Sequence, residues 1–193
     1  MKKIFQPSLK QIKSSNLFQF QITLEKKFNK KFSDYQKLWK WSNKNPEQFW
    51  NFLIDNFNIP IKKKKYFKPL KQKQRFWESV FFDKCLTNYY QLIFNNKSND
   101  TAIHFIGENG YEEKLSYNLL NRRVNSLSNY FRTLKIKKGD VITGYLPNIP
   151  DAVISFLAAA KIGAVWSSCS SDFGPNAVID RFSQLKPKLL VTC

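Results

Sequence analysis

The chain has 193 residues, 42% hydrophobic and 16% aromatic, which suffices for one domain with a full core or for a small region joined to part of a larger one. Eighteen Phe, eight Tyr and five Trp need burial and exclude disorder for most of its length, while six Gly and eight Pro exclude a collagen-like or low-complexity chain. The net charge of +18 sits at one end: residues 1–75 carry 19 Lys/Arg against Glu25, Asp34, Glu47 and Asp55, and the remainder carries 13 against 10 acids.

In chain order, the pattern up to about Phe57 is helical, with Phe28, Phe32, Tyr35, Leu38 and Trp39 recurring at three- and four-residue spacing. A second helix is predicted to begin near Asn45 with Pro46 at its first position, carrying Phe49, Trp50, Leu53, Ile54 and Phe57. Ile59 to Arg75 contains Lys62-Lys63-Lys64-Lys65 and two prolines and reads as an exposed connector. The aromatic stretch Phe76 to Phe94 reads as packing this region onto the next part of the chain. From about Asn99 the character changes. Thr101 to Ile106 is a predicted strand, Gly107 to Gly110 a turn, and Tyr111 to Leu115 the returning strand of a hairpin. Ser116 can cap a helix to about Leu134, with Leu119, Leu120, Val124, Leu127, Tyr130 and Phe131 on one face. Lys138-Gly139-Asp140 reads as its terminator. A strand at Val141–Leu146 then leads through Pro147 and Pro150 into a helix from Asp151 to Ile162, closed by Gly163. The remaining predicted elements are a strand at Ala164–Ser167, a helix from Pro175 to Lys186 and a strand at Leu189–Cys193. Strands alternating with helices predict an α/β fold with a parallel sheet and crossover helices. The chain stops in an apolar strand, which in such a sheet should be buried, so a truncated chain is expected, with residues 99–193 the opening of a larger α/β domain.

The basic end could attract nucleic acid, anionic lipid or another polyanion. Lys outnumbers Arg 27 to 5 and Asn numbers 18, a bias that points to a solvated lysine surface and not to bidentate phosphate recognition, so nucleic acid is not the expected partner. The three cysteines, Cys85, Cys169 and Cys193, are odd in number and lack a C-x-x-C, which argues against a disulfide framework or cysteine zinc site and fits a reducing cytoplasm. A single histidine, His104, leaves a histidine metal site or a Ser-His-Asp triad almost nothing to draw on. Met1 to Lys10 has no apolar segment behind its lysines, and the apolar run Ala152 to Trp166, interrupted by Ser155 and Lys161, is shorter than the ~20 residues a bilayer needs. A soluble protein with no membrane partner is expected.

Catalytic motifs are mostly missing. There is no G-x-x-x-x-G-K-[ST], no G-x-G-x-x-G after a strand and no G-x-S-x-G. His104 in an alternating strand reads as a hydrogen-bonded structural residue, and Glu112-Glu113 beside the hairpin as solvated. The unusual segment is Trp166-Ser-Ser-Cys-Ser-Ser-Asp-Phe-Gly174 before Pro175, between a strand and a helix. It could line a pocket for a phosphate, carboxylate or thiol-bearing ligand, because ligands gather at such strand ends. It could equally be a self-hydrogen-bonded loop that caps the helix with Asp172 or Gly174. Cys169 has no histidine nearby in sequence to make it a nucleophile.

Tyr145-Leu-Pro-Asn148, Phe156-Leu-Ala-Ala159, Gly163-Ala-Val-Trp-Ser-Ser-Cys-Ser170, Asp172-Phe-Gly174, Val178-Ile-Asp-Arg-Phe182 and Lys186-Pro-Lys188 together resemble the acyl-CoA synthetases of the adenylate-forming superfamily. Within it, the Trp-Ser-Ser-Cys-Ser-x-Asp-Phe-Gly run and the N-terminal Pro7-Ser8, Ser15-Asn16-Leu17, Trp41-Ser42 and Pro46-Glu47 resemble the acetoacetate-activating branch. The resemblance implies residues 1–98 as a helical N-terminal region of the acetyl-CoA-synthetase type and residues 99–193 as the incomplete start of a large AMP-binding domain. It implies ligation of acetoacetate to CoA at the expense of ATP, with Mg, through an acyl-adenylate. The family's phosphate loop, adenine site and C-terminal lysine have no counterpart here, so no catalytic residue transfers and the chain alone is expected to be inactive. Ser171, Asp172, Phe173 and Gly174 are the candidate CoA-proximal positions. Departures are Ser171 in place of a proline, Lys161 in place of a small residue, and the eroded segments Phe81-Phe-Asp-Lys84 and Thr87-Asn-Tyr-Tyr-Gln91. They bear on acyl specificity more than on fold. The rival readings are another short-chain acyl-CoA synthetase, acting on acetate or a similar acid, and a stand-alone basic nucleic-acid-binding protein.

Overall fold

The computed structural model describes residues 4–62, 67–95 and 98–193. The chain divides into two compact units, Met1–Leu86 and Thr87–Cys193.

The first unit is led by α1 (Leu9–Ser14), α2 (Asn16–Phe28), α3 (Tyr35–Lys44) and α4 (Pro46–Asn56). Their starts are written in the sequence. Ser8 forms a capping box with Gln11, the Ser15 side chain accepts from the Phe18 N–H, Asp34 accepts from the Lys37 N–H, and Pro46 opens α4. The continuous helical spacing from Phe28 to Trp39 does not hold. Asn29 takes a left-handed conformation (φ 49°, ψ 50°) that ends α2, and Phe32 lies in the connecting loop. Phe32 is buried nonetheless, because the Gln21 amide donates to its carbonyl (2.8 Å) and the Glu25 carboxylate accepts from its N–H (2.7 Å). It joins Leu24, Leu38 and Phe52 in a core rimmed by Phe20, Phe28, Trp41 and Phe49.

The expected exposed connector is partly folded. Lys62 bridges to Leu86, and β1 (Leu70–Lys71) pairs antiparallel with β2 (Val80–Phe81), with Lys71 and Asp83 forming an ion pair beside them. Lys63, Lys64 and Lys65 lie outside the described residues. In the aromatic stretch, Phe76 and Trp77 begin a single 3-10 turn and are each 77% exposed.

The second unit begins with α5 (Tyr89–Ile93), ahead of the composition change near Asn99. Phe94 is buried in that unit's core, and Tyr90 and Ile93 pack against it. The strands β3 (Thr101–Ile106) and β4 (Glu112–Ser116) form the expected hairpin, and Ser116 caps α6 (Tyr117–Thr133) by accepting from the Leu119 N–H at 3.2 Å. The face of α6 that is buried carries Leu120, Val124, Ser128 and Phe131, whereas Tyr130 is exposed. Lys135, at φ 60°, terminates this helix, with the Ile136 N–H reaching back to the Phe131 carbonyl (3.1 Å). Lys138-Gly139-Asp140 is therefore not the terminator but the turn into β5. There the Asp140 carboxylate accepts from the Lys137 N–H (2.7 Å) and pairs with Lys188 (2.7 Å).

The remaining elements alternate as expected: β5 (Val141–Tyr145), α7 (Pro150–Ile162), β6 (Val165–Cys169), α8 (Pro175–Ser183) and β7 (Leu189–Thr192). The sheet is parallel with β5 in the centre, in the order β6-β5-β7, so the chain crosses β5 between its last two strands. Gly163 ends α7 at φ 76°, a conformation that costs a glycine nothing. Leu157, Ala158 and Ala159 of α7 meet Leu120, Val124 and Phe131 of α6 and Ile142 of β5 in one apolar cluster. Among the described residues, no helix is long and apolar enough to cross a membrane.

Candidate functional site

The sheet places the serine-rich segment where α/β folds hold ligands, at the carboxyl ends of parallel strands. Tyr145, the last residue of β5, is in register with Cys169, the last residue of β6, and the loop Ser170–Gly174 leaves from there into α8. Cys169 is buried with Val178 and Phe182, and Tyr145 and Phe173 pack against these three. That burial leaves its thiol no open face for attack on a substrate.

The loop is stabilised by its own groups. The Phe173 N–H donates to the Ser170 carbonyl (3.2 Å), closing a turn. The Asp172 carboxyl is held below the usual carboxylate range first by the Ser170 hydroxyl and then by its own N–H, so it stays ionised at neutral pH. Ser171 and Phe173 both present their carbonyls to the Tyr145 hydroxyl, at 3.0 and 2.8 Å. The Arg181 guanidinium of α8 lies over the Phe173 ring, 4.1 Å from its centroid. Gly174 is the N-cap of α8 without a side-chain cap, and Asp172 does not cap that helix. The four sequence-predicted residues are thus contiguous and, Phe173 apart, exposed.

Gly174 differs from a glycine demanded by the backbone. Its φ of −65° and ψ of 157° suit any residue, and a Cβ there would meet nothing within 4 Å. Sequence reasoning did not single out Tyr145 or Arg181 as part of this site. The signal for Tyr145 was its place near the end of a predicted strand, two residues before Pro147.

Other polar groups do not converge on chemistry. His104 bonds Glu112 (2.7 Å) on the exposed hairpin, and Glu112 also pairs with Lys114 (2.8 Å), whose ammonium first and His104 second hold its carboxyl below the usual range. Glu113 pairs with Arg123 of α6 (2.8 Å). Lys161, the residue at odds with close packing, bonds Asn125 of α6 and lies 5.0 Å from the Tyr90 ring centroid; burial first and Arg132 second push its ammonium pKa down. The Tyr90 hydroxyl donates to Asn121 (2.7 Å) with Asn125 at 3.2 Å. This network ties α5, α6 and α7 together. Among the described residues no three His, Cys, Asp or Glu side chains gather as metal ligands.

Residues 93–193 match the family model described as AMP-binding enzyme. Over 97% of its length the chain is 29% identical to an acetoacetyl-coenzyme A synthetase of Rhizobium meliloti, covering 28% of that protein. Over 93% it is 33% identical to an acetoacetyl-CoA synthetase of Xenopus tropicalis, covering 27% of it. The solved acetoacetyl-CoA synthetase of Streptomyces lividans superimposes on 97% of the chain with a TM-score of 0.89 and 29% identity, and 29% of that structure is covered. The chain thus spans little more than a quarter of the length of the relatives it matches.

Proposed function

The chain belongs to the AMP-binding enzyme family, and on that premise we propose that it serves an ATP-dependent acid–thiol ligase joining acetoacetate to CoA. The chemistry such a ligase performs is dictated by the carboxylate, a poor electrophile. Attack of the carboxylate on the α-phosphorus of ATP expels pyrophosphate and leaves an acyl-adenylate, and the CoA thiol then displaces AMP from the activated carbonyl. The family resemblance brings Mg with ATP. No metal-ligand cluster stands among the described residues.

The observation that carries this reading is breadth. Similarity to acetoacetyl-CoA synthetases extends over 93% and 97% of the chain, well beyond the segment that the general AMP-binding model matches. Residues 1–98 are then the N-terminal region of the ligase and residues 99–193 the start of its adenylation domain. No residue here takes a catalytic role. Ser171, Asp172, Phe173 and Gly174 form a loop beside the CoA path, a role supported by their place at the strand ends. The ligase works in the cytoplasm, in ketone-body and lipid metabolism.

Two measurements on the whole enzyme test the reading. Pyrophosphate exchange driven by acetoacetate and not by acetate or short branched acids supports the substrate; preference for acetate overturns it. Gly174→Trp, which the backbone at that residue accommodates, should raise the KM for CoA at least tenfold while sparing acetoacetate-dependent exchange. Equal loss of both half-reactions would mark the loop as structural.

A further inference from the structure

We infer that Tyr145 is the positioning residue of the β6–α8 loop, setting the shape of residues 171–174 that the CoA thiol arm meets; the inference rests on the CoA role proposed for that loop. Two observations carry it. The first is convergence. The carbonyls of Ser171 and Phe173 both turn onto one phenolic oxygen, at 3.0 and 2.8 Å, so a single shared proton orients two of the loop's peptide groups. The second is the anchor. Tyr145 closes the central strand, paired with Cys169 of β6 on one side and Thr192 of β7 on the other, and its ring packs among Cys169, Val178, Phe182 and Phe173.

At the loop's far end the Gly174 carbonyl accepts from the Ala177 and Val178 N–H groups of α8 (3.0 and 3.2 Å). The Phe173 N–H to Ser170 carbonyl bond (3.2 Å) joins loop residues to one another. The Tyr145 hydroxyl joins loop to sheet. Its two acceptors, at residues 171 and 173, bracket Asp172. Arg181 over the Phe173 ring holds the same residue from α8.

Tyr145→Phe removes the hydroxyl and leaves the ring in its cluster. In the whole enzyme, amide hydrogen exchange at residues 171–174 should quicken while β5 and β6 keep their protection. The KM for CoA should rise about three- to tenfold, the effect of one net hydrogen bond, with kcat at saturating CoA and acetoacetate-dependent pyrophosphate exchange unchanged. Unchanged loop exchange overturns the clamp. Faster loop exchange with an unchanged KM, in an enzyme where Gly174→Trp does raise it, overturns the positioning role. Where neither variant moves the KM for CoA, the CoA reading of the loop is what falls, and the clamp is judged on exchange alone. A matched fall of both half-reactions together with a lowered Tm would make Tyr145 a general structural residue and end the proposal.

Discussion

The first unit packs four helices around rings: Phe28 and Phe32 tilt against Trp41 at 5.0 and 5.8 Å, and Phe20 and Phe28 against Phe52 at 5.4 and 5.8 Å. The second unit buries mainly aliphatic and small side chains, with Ala158, Ala159, Val124 and Leu115 each fully covered and the large Phe131 ring at the end of α6's buried face. Rings meet over a range of tilts and separations with little difference in energy, so an aromatic core accepts short helices and irregular loops. Alanines under a parallel sheet bring backbones together and leave no spare volume. Tolerance therefore belongs to the first unit and close fit to the second.

The largest effect should come from Phe131→Ala, which removes the largest fully buried side chain and should cost about 3–5 kcal/mol in urea unfolding. Its counterpart, Phe52→Ala, leaves neighbouring rings free to re-tilt into the gap and should cost less, about 2–3 kcal/mol. Equal costs would break the comparison. Next comes Gly144→Ala on β5. A Cβ there would lie 2.4 Å from the Trp166 ring, so the indole must move, and a loss of about 1–3 kcal/mol with altered Trp166 fluorescence is expected. Smaller, and of similar size in both units, are the caps: Ser15→Ala and Ser116→Ala should each lose about 1 kcal/mol, read by hydrogen exchange in α2 and α6. A much larger loss at Ser116 would say that the tightly fitted unit amplifies local damage.

The smallest effect is acidic. Lys188 first and the Lys137 N–H second hold the Asp140 carboxyl below its ordinary range. A depressed carboxyl contributes stability that is complete above its ordinary value, about pH 4, and is lost as pH falls through the lower folded value. Asp140→Asn should therefore flatten the fall in Tm of the second unit below about pH 4 and leave the neutral region only slightly lowered. An unchanged acid limb would remove the Lys188 pair from the account.

Much of the second unit was legible because its signals are local. Ser116 before an apolar face, Pro175 at a first helical position, Gly163 after the last periodic residue and a four-residue turn between alternating strands each act within a few residues. The α2–α3 break was not legible, since Phe32 keeps helical spacing while Asn29 leaves the helix, and what buries Phe32 is a pair of bonds from Gln21 and Glu25. The short β1–β2 ribbon escaped for a similar reason: two-residue strands carry no periodicity, and their pairing joins Leu70 to Phe81 across the 3-10 turn.

The candidate loop divides in the same way. Its composition, its place between a strand and a helix, and the family motif running through Asp172, Phe173 and Gly174 were all in the sequence, because backbone preferences and chemical identity are properties of neighbouring residues. The tertiary structure alone decided that Tyr145 holds two loop carbonyls, that Arg181 covers Phe173 and that Cys169 is shut away beneath them. Those contacts depend on the register between β5 and β6 and on where α8 returns across the sheet, and no local pattern encodes a register between strands separated by a helix.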